Sequence, residues 1–188
     1  MTALARKPEP TSEIPEIELA RMRRRHLRKV LAIEAQVYPR PWSATLFLAE
    51  ISQRSTRSYL VARCSGDIVG YAGMMFTGFE AHVTNIAVDP AWHGHKIGTR
   101  LLLTLITEAI ARGSEKISLE VRVTNSIAQS MYEKFGFSVS GVRRGYYVET
   151  NEDALLMVVE GALSTDYRLR LKAIRDEIDA LSGKRAGG

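Results

Sequence analysis

Thr84-Asn85-Ile86-Ala87-Val88-Asp89-Pro90-Ala91-Trp92-His93-Gly94-His95-Lys96-Ile97-Gly98-Thr99-Arg100 is the stretch on which the fold turns. Residues 81–88 are rich in β-formers and predict a strand. Asp89-Pro90 closes it, because proline has no N–H to give a ladder. Over residues 98–112, Leu101, Leu102, Leu105, Ile106 and Ala109 share one helical face. Residues 116–123 return to strand periodicity, with Ile117, Leu119, Val121 and Val123 alternating with Ser118, Glu120 and Arg122. A strand, a helix and a second strand in that order predict a right-handed parallel crossover.

Upstream, residues 58–63 and 68–76 read as strands around a Ser65-Gly66-Asp67 turn, so the 81–88 strand ends a meander. A strand over 17–22 and a helix carrying Leu27, Val30, Leu31 and Ala35 precede it. Tyr38-Pro39-Arg40-Pro41-Trp42-Ser43 reads as a loop, with Ser43 capping a helix over 44–52. Downstream, a helix over 125–135 stops at Gly136, and strands follow near 139–144 and 154–160. The expected class is α/β with a mixed sheet. Residues 1–15, with Pro8, Pro10 and Pro15, read as a flexible leader, 16–161 as the folded domain and 162–188 as a helical tail. In the tail, Tyr167, Leu171, Ile174, Ile178 and Leu181 form one narrow stripe, which packs either on its own domain or on a partner or second copy.

The chain of 188 residues is long enough to bury roughly 70% of its unfolded surface without a staple. Cys64 is the only cysteine, which excludes an internal disulfide framework and a cysteine-rich zinc site and fits a reducing compartment. No run of about 18 apolar residues exists to span a bilayer, and the first residues develop no apolar signal core. The net charge is +5, with Arg21, Arg23, Arg24, Arg25, Arg28 and Lys29 bunched together. Such a run is either a solvated face or a field for acidic partners, and no aromatic residue interleaves it as single-stranded nucleic acid would need.

Three segments can carry chemistry. Residues 93–100 join a strand to a helix, where unpaired amides and the helix dipole favour an anion; Gly94 and Gly98 permit close approach, and His95, Lys96 and Arg100 add charge. The same segment can also be an ordinary glycine-bearing turn. Glu120 sits on a polar face of a strand that a parallel sheet would normally bury on both sides, so it faces either a cleft, as a general base, or solvent. Tyr132 follows on the next helix, as a proton donor or a packed ring. Neither the four histidines nor the lone cysteine completes a metal or a nucleophile pattern.

Together these segments resemble the GNAT superfamily of acetyl-CoA-dependent N-acetyltransferases. Residues 84–90 resemble its central strand, and residues 93–99 its pyrophosphate loop, Gln/Arg-x-x-Gly-x-Gly/Ala. Here His93 takes the leading place, Lys96 replaces the first glycine and Gly98 keeps the second. Leu119-Glu120-Val121-Arg122, Tyr132, Phe135-Gly136-Phe137, Pro41-Trp42-Ser43 and Val142-Arg143-Arg144-Gly145-Tyr146-Tyr147 are similar to the RimI branch, which acetylates an N-terminal alanine of a small-subunit ribosomal protein. The resemblance covers residues 17–160 and implies acetyl-CoA as co-substrate, no metal and a cytoplasmic enzyme needing neither membrane nor stable nucleic-acid complex. It implies that Ile86, Ala87 and Val88 hold the pantetheine arm through main-chain groups. Gly94, His95, Lys96, Ile97, Gly98 and Thr99 would hold the pyrophosphate, and Asn125 would lie near the reactive end. Glu120 becomes the base, Tyr132 the acid, and Trp42, Arg143, Tyr146 and Tyr147 the peptide contacts. The alternatives are a GNAT acting on another amine, and a non-catalytic acyl-CoA-binding or RNA-associated module.

Overall fold

The leucine-rich helix that follows the quoted stretch organises the molecule: Ile97, Leu101, Leu102, Leu105, Ile106 and Ala109 are each at most 1% exposed. Removing each of the larger of these side chains from water contributes about 1.5–3 kcal/mol. The computed structural model describes residues 16–183, so the expected leader and the last residues of the tail lie outside it. The order is β1 (Ile17–Arg21), α1 (Leu27–Val37), α2 (Ala44–Ser52), β2 (Arg57–Cys64), β3 (Asp67–Thr77), β4 (Glu80–Val88), α3 (Ile97–Ala111), β5 (Lys116–Arg122), α4 (Ser126–Lys134), β6 (Ser138–Tyr147), β7 (Glu152–Glu160) and α5 (Thr165–Gly183).

The strands form one seven-stranded sheet in the order β1-β2-β3-β4-β5-β7-β6. Every neighbouring pair is antiparallel except β4 and β5, the parallel crossover expected from the sequence. Ser65 and Gly66 both take positive φ, 49° and 88°, which suits the two-residue turn joining β2 to β3. Ser43 caps α2 as expected, accepting from the Leu46 amide at 3.2 Å.

Helices α3 and α5 bury their stripes in one core with Tyr132 and Phe135 of the α4 segment, against one face of the sheet. Helices α1 and α2 form a second core on the other face, where Phe47 is fully buried between Tyr59 and Tyr71. Of the two uses open to the tail stripe, the structure takes the first. Tyr167, Leu171, Ile174 and Ile178 are 4–7% exposed inside the α3 core, so the stripe is not free for a partner.

Candidate active site

A defect in β4 opens the site. Gly73 of β3 pairs with Asn85, yet the next residue, Met74, pairs with Val83, so Thr84 is an extra residue bulged out of the ladder. A Cβ on Gly73 would lie 2.2 Å from the Tyr59 ring and 2.7 Å from Asn85 Oδ1, so only glycine fits behind the bulge. Beyond it β4 swings away from β5. The two strands pair only from Glu80↔Lys116 to Val83↔Leu119, and past that point a wedge separates residues 84–88 from residues 120–122.

The wedge leads into a cavity of about 280 Å³. Thr84, Asn85 and Ile86 line one side, and Leu119, Glu120 and Arg122 the other. Tyr38 and Trp42, from the segment between α1 and α2, form one wall; Tyr146 and Tyr147 form the other, and Tyr132 reaches in from α4. Buried Glu34 of α1 holds the first wall, because its Oε1 accepts the Trp42 amide at 2.9 Å. Burial raises the Glu34 carboxyl above its ordinary range, and its Oε2 is buried without a hydrogen-bond partner. Tyr38 donates its hydroxyl to the Ile86 carbonyl at 2.8 Å, tying the wall to β4. Arg122 holds the second wall. It bonds Glu149 at 2.7 Å and Glu152 at 2.9 Å and lies 3.8 Å over the Tyr147 ring, and burial pushes the Tyr147 phenol up to about 12.

Glu120 is the most engaged acid in this cavity. Its Oε2 takes His82 Nε2 at 2.9 Å and its Oε1 takes Arg143 at 3.2 Å, while His82 Nδ1 meets Ser118 Oγ at 2.9 Å. The bond to His82, then the charges of His82 and Arg143, hold the Glu120 carboxyl below its usual range against the opposing effect of burial. It is therefore ionised at neutral pH. A carboxylate offers about four lone-pair positions, so His82, Arg143 and the residue's own backbone amide still leave room for a ligand. Tyr132, 7% exposed, packs edge-on against Phe137 with ring centres 5.9 Å apart, and burial drives its phenol well above the ordinary range.

At the other end of β4, Asp89 caps a short turn by accepting the Ala91 amide at 2.9 Å, and the chain reverses into α3. Gly94 and Lys96 both adopt left-handed backbone, with φ of 85° and 58°. Lys96 is the N-cap residue of α3, and no side chain caps that helix. The first amides of a fifteen-residue helix are thus left for an anion, with the dipole adding favourable charge. Asn85 Nδ2, inside the wedge, is a second group buried without a partner, and leaving such a group bare costs about 1–3 kcal/mol. An extended, phosphate-bearing substrate laid through the wedge fits both features.

The Acetyltransferase (GNAT) family profile matches residues 27–137, which spans α1 to the end of the α4 segment. The chain belongs to that family. It is an acetyl-CoA-dependent N-acetyltransferase by that membership. It is 35% identical over 153 residues to the N-alpha-acetyltransferase RimI of Mycobacterium tuberculosis, covering 78% of this chain and 94% of the relative. It is 35% identical over 129 residues to the [ribosomal protein bS18]-alanine N-acetyltransferase of Escherichia coli K12, covering 68% and 86%. The crystal structure of the ribosomal-protein-S18-alanine N-acetyltransferase from Escherichia coli superposes with a TM-score of 0.72 at 29% identity, over 80% of this chain and 97% of that one.

In this acetyltransferase the expected site residues fall into two groups. Glu120, Tyr132, Ile86, Trp42, Tyr146 and Tyr147 share one cavity, and Arg143 touches it through Glu120. Gly94, His95, Lys96, Ile97, Gly98 and Thr99 form the turn and first residues of α3, with Ala87 and Val88 on the strand that leads there. Asn125 is committed locally: its Oδ1 caps α4 by accepting the Ala128 amide at 3.1 Å. Sequence reasoning missed His82, Asn85, Glu34 and Tyr38. His82 and Thr84 stand two residues apart on one face of β4, so period-two spacing alone would have put His82 beside the polar face of β5. Nothing local marks Glu34, an acid buried on α1 by a contact eight residues away.

Proposed function

We propose that this acetyltransferase modifies a protein N-terminus, the N-terminal alanine of a small-subunit ribosomal protein, with Glu120 as general base and Tyr132 as general acid. The name of the M. tuberculosis relative supports an α-amine and that of the E. coli relative a ribosomal-protein alanine, and the single observation that carries the chemistry is an ionised carboxylate and a buried phenol lining one cavity. Acetyl-CoA supplies a thioester when bound. The uncapped start of α3, with Lys96 beside it, holds the pyrophosphate. Main-chain groups of Ile86, Ala87 and Val88 hold the pantetheine arm, and Asn85 Nδ2 donates to an acceptor along it.

An N-terminal amine with an ordinary value of about 7.7–8.0 enters largely protonated, and a protonated amine has no lone pair for attack. Glu120 takes that proton, directly or through a water, on a lone pair that His82 and Arg143 leave free. The amine nitrogen then bonds the acetyl carbon, the carbon–sulfur bond breaks, and the sulfur leaves with the electron pair. Tyr132 gives the departing sulfur a proton, since a buried phenol stays protonated at neutral pH; the new amide nitrogen sheds its second proton, which restores the phenol, and Glu120 returns its own proton to solvent. Proton transfer by one placed group contributes about 10²–10⁴ in rate. No covalent bond to the enzyme is needed. Tyr38 and Trp42 on one wall, with Tyr146, Tyr147 and Arg143 on the other, bracket the first residues of the peptide. A reducing, cytoplasmic setting suits the lone buried thiol of Cys64.

The test is acetylation of a panel of short peptides that differ in their first residue, read by mass spectrometry with the modified atom located by fragmentation. Fastest transfer to the α-amine of the alanine-starting peptide supports the proposal. Transfer to lysine side chains, or none to any peptide, refutes it.

A further inference from the structure

The polar chain Ser118–His82–Glu120 runs across the parallel β4/β5 pair, where His82 stands directly opposite Ser118 and Glu120 lies one pleat step further on. Both ring nitrogens of His82 are committed, each at 2.9 Å, which fixes the ring plane and sets the partner each nitrogen must serve. The Glu120 side chain is 9% exposed and that of His82 26%, so the pair sits at the cavity edge with solvent reaching the imidazole more easily than the carboxylate.

Among the described residues packed around Glu120, His82 is the single imidazole. On the same face, Glu80 and Lys116 lie one pleat step before the pair and form an ion pair at 3.8 Å. Met75 of β3 pairs with His82, and Val158 and Leu156 of β7 pair with Ser118 and Glu120; all three are uncharged. From β6 come Arg143, bonded to Glu120, and Tyr146 and Tyr147, whose phenols burial raises further from neutrality. An imidazole alone among these groups ordinarily changes charge between pH 5 and 8.

We propose that His82, oriented by Ser118, is the positioning residue that aims Glu120 and switches it with pH. In its neutral form the imidazole donates Nε2–H to Glu120 Oε2 and accepts the Ser118 hydroxyl at Nδ1, which turns the remaining carboxylate lone pairs into the wedge. A second proton on the ring puts a full positive charge beside the carboxylate. That charge stabilises the anion, makes Glu120 a weaker proton acceptor and repels the incoming ammonium. Nothing covalent changes: the proton sits on Nδ1 and returns to solvent as the pH rises. The low-lying Glu120 carboxyl, with His82 as its leading cause, is in keeping with this contact. The inference rests on Glu120 being the base for a peptide amine.

The measurement is kcat for an alanine-starting peptide, with both substrates saturating, from mildly acid to mildly alkaline pH, in wild type, His82→Gln and His82→Ala. Glutamine keeps a neutral donor toward Glu120 and cannot take the proton. His82→Gln is expected to hold kcat within a few-fold on the alkaline plateau and to stay active at lower pH than wild type. His82→Ala is expected to lose about 10-fold to 10² in kcat, the scale of a misplaced catalytic group, with both KM values little changed. A limb that comes from the peptide amine itself persists in all three proteins, so only the difference between them reports His82. An acid limb in His82→Gln identical to wild type, or full kcat in His82→Ala, overturns the proposal. Should His82→Ala melt early, the profile of His82→Gln decides alone. A wild type that acetylates no peptide refutes the N-terminal reading, and this inference with it; an active wild type matched by its variants refutes the role of His82 alone.

Discussion

Replacing Lys96 by glycine should separate the two things this residue does. Lys96 holds φ at 58°, in the left-handed region, at the first turn of α3. A side-chain-bearing residue there costs about 1–2 kcal/mol relative to right-handed backbone. Glycine removes that strain but loses about 0.5–1 kcal/mol more chain entropy on folding. The net gain for Lys96→Gly is about 0.5–1 kcal/mol, which for a chain of this size raises Tm by about 1–4 °C. The same change deletes an exposed ammonium beside the uncapped amides. Exposed ion pairs contribute about 0.2–1 kcal/mol, so Kd for acetyl-CoA should rise about 1.4- to fivefold at low salt and converge with wild type as salt screens the charge. Thermal denaturation of the free protein and calorimetric titration of acetyl-CoA at two salt concentrations read both effects. A less stable variant would refute the strain argument, and equal acetyl-CoA affinity with an equal salt response would refute the cradle.

Tyr132→Phe keeps the ring against Phe137 and removes only the hydroxyl, so kcat should fall about 10² or more with little change in Tm; full activity with a lower Tm would assign the hydroxyl to packing. Arg143→Ala and Tyr146→Ala should raise KM for the peptide while leaving acetyl-CoA affinity near wild type, in calorimetry and initial-rate kinetics; loss of cofactor affinity in both would move this strand to the acetyl-CoA site. Gly73→Ala should destabilise by about 1–3 kcal/mol in urea denaturation, because its Cβ collides with Tyr59 and Asn85 behind the bulge; an unchanged midpoint would show the bulge can relax.

The strand–helix–strand unit was legible because its period switches cleanly from two to 3.6 and back, while the polar side of β5 left a cleft and a solvated face both open for Glu120. The meander was legible from Ser65-Gly66-Asp67 and the β-rich runs around it. The bulge at Thr84 was not, because an extra residue in a ladder depends on what stands opposite, here Gly73 and Met74, and leaves no mark in its own strand. What holds the first cavity wall in place was hidden for the same reason. Glu34 looks like one more surface acid on a helix until the Trp42 amide closes on it. Asn125, placed at the reactive end by resemblance, also serves as the cap of α4. The αL backbone at Lys96 gives a physical reason for the family's glycine at that place.

The central claim is that Glu120 takes the proton of the substrate amine, and the pH dependence of Glu120→Gln tests it most directly. The measurement is single-turnover acetylation of an alanine-starting peptide by wild type and variant, with acetyl-CoA binding checked separately. The account predicts intact binding, a rate about 10²–10⁴ lower near neutral pH, and a smaller deficit at alkaline pH, where the amine loses its proton unaided. Equal rates for the two proteins at neutral pH would contradict it.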